Sequence, residues 1–187
     1  RLSSLSDQAH RLLDAAVAAG REFDIDVVAR AAALSDEAAL DAAGELENAG
    51  LILPESGLHY RFDHSLTMEV AYQMIGEPRH RILHRRMAEA LEVKVGQNRL
   101  DEKAAEIAMH FMEGNAVQRA APYAFRAGKQ SARLAAWHEA IDFFQQALLG
   151  FEGNERFPVL MALGKVLTSY GALSQATGVI QEAYDLA

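Results

Sequence analysis

Cysteine is absent from this sequence, which removes disulfides, thiolate nucleophiles and cysteine-ligated zinc together. A cytoplasmic location is expected on that ground. No apolar run approaches the length needed to cross a bilayer, and no signal-peptide pattern opens the chain. Positive charge is in the minority: 18 Lys and Arg stand against 26 Asp and Glu, a formal net charge of -8. That balance opposes nonspecific attraction to a phosphate backbone, so any nucleic-acid contact would need a local basic patch. A loop of the form Gly, four residues, Gly-Lys-Ser/Thr is missing, as is an acidic strand end suited to magnesium. Ser131, Ser169 and Ser174 have no His-acid pair nearby in sequence, which argues against a hydrolase. The expectation is a chain without catalytic residues, metal or cofactor of its own.

What is present suits a folded protein. Half of the 187 residues are hydrophobic and about a quarter charged, enough for one or two cores, of which two is the expectation. The chain begins at Arg1 rather than methionine, which reads as a piece of a longer protein. Leu5, Ala9, Leu12, Leu13, Ala16 and Val17 recur at helical spacing, predicting a helix from Ser4 to Gly20. A second helix fits Asp26 to Ala33. A third starts at Ser35, with Asp36 and Glu37 in its first turn and Ala39, Ala42, Ala43, Leu46 and Ala49 on its buried face. The period then changes. Leu51-Ile52-Leu53, a turn-rich Pro54-Glu55-Ser56-Gly57 and the alternating His59-Tyr60-Arg61-Phe62 predict one small β-hairpin. Three short helices and a hairpin are the order of a winged helix. Helical spacing resumes through Leu66, Val70 and Met74, breaks at Gly76-Glu77-Pro78, and restarts with Leu83, Met87, Ala90 and Leu91.

Gly96-Gln97-Asn98 reads as a joint, giving a winged-helix-like domain over 1–96 and a helical domain over 97–187. The second half repeats itself: Gly128, Ala140, Phe144 and Ala147 match Gly164, Ala176, Ile180 and Ala183 at one constant offset. Small residues allow paired helices to approach, while Phe144 and Ile180 fill the groove between them. The tight joints are Ala135-Ala136-Trp137 and Tyr170-Gly171-Ala172, and a lead-in helix is expected from about Lys103 to Glu113. The fold class is thus mainly all-α, a winged helix with one hairpin followed by antiparallel helical hairpins of tetratricopeptide type. The chain stops at Ala187 inside a helix, so further repeats are expected in a longer protein.

Arg21-Glu22-Phe23, Leu46 to Leu53, Tyr60-Arg61-Phe62-Asp63-His64, and Leu83-His84-Arg85-Arg86-Met87-Ala88-Glu89-Ala90-Leu91 together resemble the bacterial STAND-class signalling ATPases. In that family an AAA+-like nucleotide-binding core precedes a winged-helix domain and tetratricopeptide-like repeats, as in LuxR-type regulators and cyclase-linked ATPases. The resemblance implies a parent core that binds ATP or ADP with magnesium, and a winged helix that closes over it. It also implies that His64 contacts the phosphates of bound ADP, an imidazole being able to donate a hydrogen bond when neutral and to add charge when protonated. Asp63 departs from the basic or neutral residue expected beside it. The plain alternative for His64 is capping or packing at a strand-helix junction.

Other candidates each have a structural reading beside the functional one, and for the basic stretch, for Glu106 and His110 and for Trp137 the structural reading is preferred. Arg79, Arg81, Arg85 and Arg86, with His80 and His84, form a basic stretch that is either a solvated helix face or a docking face for the ATPase core. His80 and His84 could share a metal, but no acid completes the set, and Arg81 stands where a zinc protease needs glutamate. Glu106 and His110 share the same spacing and the same lack. Tyr123 and Trp137 either line a peptide groove or pack at a joint. The third helix carries Asp36, Glu37, Asp41, Glu45 and Glu47 and no basic residue, which argues against DNA reading. The leading expectation is a regulatory arm coupling nucleotide-dependent closure to sensing of a protein or small ligand by the repeats. The competing one is a protein-protein interaction scaffold without a nucleotide role.

Overall fold

Capping residues set the starts of the first three helices. In the computed structural model, which describes residues 5–186 apart from the side chains of Ser65, Leu66, Thr67 and Gln97, α1 (Asp7–Ala19) follows Ser6, whose hydroxyl accepts from the Ala9 amide at 3.1 Å. Helix α2 (Ile25–Ala32) follows Asp24, which accepts from the Asp26 amide at 3.0 Å. Helix α3 (Asp36–Asn48) follows Ser35, whose hydroxyl accepts from the Ala38 amide at 3.3 Å. Each bond satisfies an amide that has no partner inside its helix. The helix start expected at Ser4, the core place expected of Leu66 and the helical end at Ala187 lie outside the described residues.

The fold is mainly helical, with ten α-helices among the described residues and one small antiparallel sheet. The chain divides into two compact units, Arg1–Lys94 and Val95–Ala187. In the first, Leu12, Val28, Leu46 and Ile52 are completely buried. The expected two-stranded hairpin requires correction, because β1 (Glu22–Asp24) joins β2 (Ile52–Pro54) and β3 (His59–Phe62) in the order β1-β3-β2. Three residues are too few to show an alternating pattern, so this edge strand is invisible to periodicity. Phe23 anchors it, buried beneath Tyr60 and Phe62 with ring centroids 6.0 and 5.7 Å away.

Helix α4 (Ser65–Met74) leads to α5 (Glu77–Val95), whose stripe of Leu83, Met87, Ala90 and Leu91 is buried. Pro78 lies in its first turn, where a missing amide costs nothing. Both ends of α5 are tied down by charge: Arg79 meets Asp14 of α1 at 2.9 Å, and Lys94 pairs with Asp24 and Asp26 beside β1.

In the second unit a 3-10 segment, Gln97–Lys103, precedes α6 (Ala104–Glu113), α7 (Val117–Arg133), α8 (Trp137–Gly150), α9 (Arg156–Tyr170) and α10 (Leu173–Asp185). Helices α7 and α8 pack as one hairpin, α9 and α10 as another. Equivalent positions lie 36 residues apart, and their contacts repeat. A Cβ on Gly128 would stand 2.6 Å from the Phe144 ring, and one on Gly164 2.5 Å from Ile180. Each large side chain therefore occupies the space that a missing side chain leaves open. The joints match too: Ala135 and Gly171 are left-handed, at φ 56° and 93°. The Ala136 amide bonds to Ser131 O at 3.0 Å, and the Ala172 amide to Leu167 O at 2.9 Å. That closure satisfies carbonyls at a helix end and turns the chain sharply.

Candidate functional site

The spacing of Arg126, Lys129 and Arg133 places them on one face of α7, and that of Ala162, Lys165, Val166 and Ser169 does the same on α9. The two faces, with Trp137 and Phe144 of α8 and Asp101 of the 3-10 segment, line a groove of about 560 Å³. Its volume lies within the range of roughly 300–1,000 Å³ usual for ligand sites. The floor is apolar, because Phe144 and Val166 belong to the buried core and Trp137 packs half-buried against it. Its rim is basic.

Asp101 is the one acid among the described lining residues, and Arg126 holds it at 2.8 Å. The Arg126 hydrogen bond, helped by the charges of Arg126, Lys129 and Arg133, keeps the Asp101 carboxyl below the usual carboxylate range. Lys129 lies over the Phe125 ring, 4.7 Å from its centroid. The groove is thus a convergence of cations above an aliphatic and aromatic floor, suited to holding carboxylates beside an apolar side chain.

The sequence-predicted residues are dispersed. Trp137 lines the groove and also packs half-buried on the core. Tyr123 does not line the groove; its ring packs 5.9 Å from that of Phe111. His64 is the N-cap residue of α4, yet its side chain makes no cap bond and is 73% exposed, with Nε2 3.3 Å from an Asp63 carboxylate oxygen. Neither capping nor packing accounts for it. Arg79 is engaged by Asp14 and Arg81 by Glu77, while Arg85 and Arg86 are exposed on α5.

His80 and His84 do come together, with ring centroids 4.5 Å apart, and Tyr72 meets His80 edge-on at 4.3 Å. No group of three His, Asp or Glu that could hold a metal occurs among the described residues. Glu106 pairs with Lys103 at 2.7 Å, whereas His110 is buried and its pKa is pushed down to about 4 by loss of hydration. Two of the five acids on α3 have internal tasks. Glu45 accepts from the Ser6 amide and hydroxyl at 2.7 and 2.6 Å, which holds its carboxyl low, and Glu47 bonds Tyr60.

Arg126, Lys129, Arg133 and Lys165 were not singled out by sequence reasoning. The three-and-four spacing on α7 was a readable signal for the first three. Lys165 stands alone in sequence, and only the packing of α9 beside α7 brings it to the same rim. Comparison with protein-family models, with curated proteins and with solved structures finds no match for this chain.

Proposed function

We propose that the chain is a non-catalytic regulatory segment of a larger STAND-type signalling ATPase. In this reading residues 1–96 are a winged-helix-like clamp on the nucleotide-binding core, and residues 97–187 are tetratricopeptide-like repeats that sense a ligand. The observation that carries it is the repeated seat of Phe144 on Gly128 and Ile180 on Gly164, 36 residues apart. Stacked hairpins of this kind create an extended groove on one side, and such grooves serve binding rather than catalysis. In this reading the nucleotide chemistry, with ATP or ADP and magnesium, belongs to a core elsewhere in the parent.

The clamp half of the reading rests on the resemblance and on the exposure of His64 at the start of α4. An exposed imidazole can reach a phosphate when a core closes against it, and Asp63 beside it competes for the same proton. Its test is ADP retention by the full-length protein. His64→Ala should release ADP faster, and Asp63→Asn should retain it longer. Unchanged retention in both contradicts the clamp.

A second reading keeps the repeats as an interaction scaffold and gives the first unit no nucleotide role. The Asp63 carboxylate favours it, because a carboxylate 3.3 Å from the imidazole repels phosphate. Binding of a partner in the groove, with ADP retention indifferent to His64, would select it.

A further inference from the structure

Residues 95–187 carry eight Lys and Arg against ten Asp and Glu. Four of those eight cations line the groove, but only one of the ten acids does. The commitments of the charges divide the same way. Away from the groove, Arg99 pairs with Glu102, Lys103 with Glu106 and Arg156 with Glu182, all at 2.7 Å. In the groove only Arg126 has a carboxylate partner; among the described residues Lys129, Arg133 and Lys165 form no ion pair. One carboxylate, Asp101, sits among these four cations, so the rim keeps a net positive charge that a further anion would offset.

We propose that this groove binds an acidic peptide segment, its carboxylates reaching Lys129, Arg133 and Lys165 and an apolar side chain lying on Trp137 and Val166. The inference rests on reading the repeats as a ligand-binding unit and adds the chemistry of the ligand. The apolar floor favours a peptide over a bare anion, because only a ligand with an apolar part would cover the groove-facing surface of Trp137 and Ala162. The net charge of -8 opposes a nucleic acid, whose backbone would meet acidic surface beyond the rim. Asp101 has a place in this arrangement: it holds the Arg126 guanidinium in position at the end of the rim. A peptide carboxylate arriving beside it finds an already oriented donor.

The test uses the full chain and fluorescent probes of equal length. One is a peptide with glutamates flanking a leucine, one has glutamine for every glutamate, and one is a single-stranded oligothymidylate. Anisotropy titrations at low and moderate salt should show the glutamate peptide binding, with affinity falling as salt rises. Combining Lys129→Gln, Arg133→Gln and Lys165→Gln should weaken it about tenfold or more. All three side chains are exposed, so far-UV circular dichroism should stay unchanged, and Lys165→Gln alone should weaken binding in the same direction. Equal binding of the glutamine peptide would overturn the acidic specificity while leaving the ligand-binding reading in place. Tighter binding of the oligothymidylate would assign the groove to nucleic acid instead. Binding of no probe would contradict both the inference and the reading beneath it, and binding indifferent to the substitutions would place the peptide elsewhere.

Discussion

At the scale of single residues, the glycines separate packing from propensity. Gly164→Ala would drive a Cβ to within 2.5 Å of Ile180, and Gly128→Ala would drive one to 2.6 Å from the Phe144 ring. Overpacking of this kind costs about 1–3 kcal/mol, more than the ~1 kcal/mol that alanine gains over glycine inside a helix. Urea unfolding should therefore show both variants destabilised, and Phe144→Leu should partly rescue Gly128→Ala. Gly178 of α10 has nothing within 4 Å of its missing Cβ. Gly178→Ala should instead stabilise the chain by roughly 0.5–1 kcal/mol. A stabilising Gly164→Ala would refute the close approach of α9 to α10.

His110 gives stability a pH dependence of definite sign. Its folded pKa of about 4 lies below the ordinary 6.5, so between those values the unfolded chain binds more protons than the folded one. The stability from keeping His110 neutral and buried is complete above about pH 6.5 and is lost as pH falls toward 4. The loss is on the order of 3 kcal/mol, since each pKa unit is about 1.4 kcal/mol. Denaturant unfolding between pH 7 and pH 4 should display this slope, and His110→Gln should lose that share of it. A slope untouched by the substitution would mean that burial of the imidazole is not its source.

At the scale of elements, the helices were legible where residues marked their own ends. Ser35 was read as a cap and accepts the Ala38 amide, and the stripe Leu83, Met87, Ala90 and Leu91 is buried as its spacing implied. The seats at Gly128 and Gly164 were legible because a repeat prints the same packing twice. Strand β1 was not legible, because three residues acquire strand geometry only from a partner distant in sequence. The groove was half legible: the α7 cations follow helical spacing, while Lys165 joins them through tertiary packing alone. Tyr123, for which groove lining and packing were both open, packs on Phe111 away from the groove, since sequence cannot say which side of a helix a neighbour covers.

The joint between α7 and α8 yields its own prediction. Ala135 holds the left-handed conformation that Gly171 holds at the equivalent joint, and a Cβ there costs roughly 1 kcal/mol. Ala135→Gly should raise the stability of the second unit by up to about 1 kcal/mol, as measured by thermal or urea unfolding. A loss of stability would show that the joint does not depend on that backbone conformation.

At the scale of the whole molecule, the charges tell the two units apart. Residues 1–94 carry ten Lys and Arg against 16 Asp and Glu, and Arg61, Arg79, Arg81 and Lys94 each pair with a carboxylate there. Residues 95–187 instead gather half of their cations around one groove. The gathered cations are what the ligand-binding role proposed for residues 95–187 would use.

The central claim is that the sensing unit governs a nucleotide clamp in the same parent protein. Its most direct test is the ADP release rate of the full-length protein, measured with residues 95–187 present and deleted, each with His64 intact and as His64→Ala. The account predicts that the deletion changes the rate severalfold while His64 is intact, and that His64→Ala removes most of that difference. Equal rates in all four proteins would contradict it.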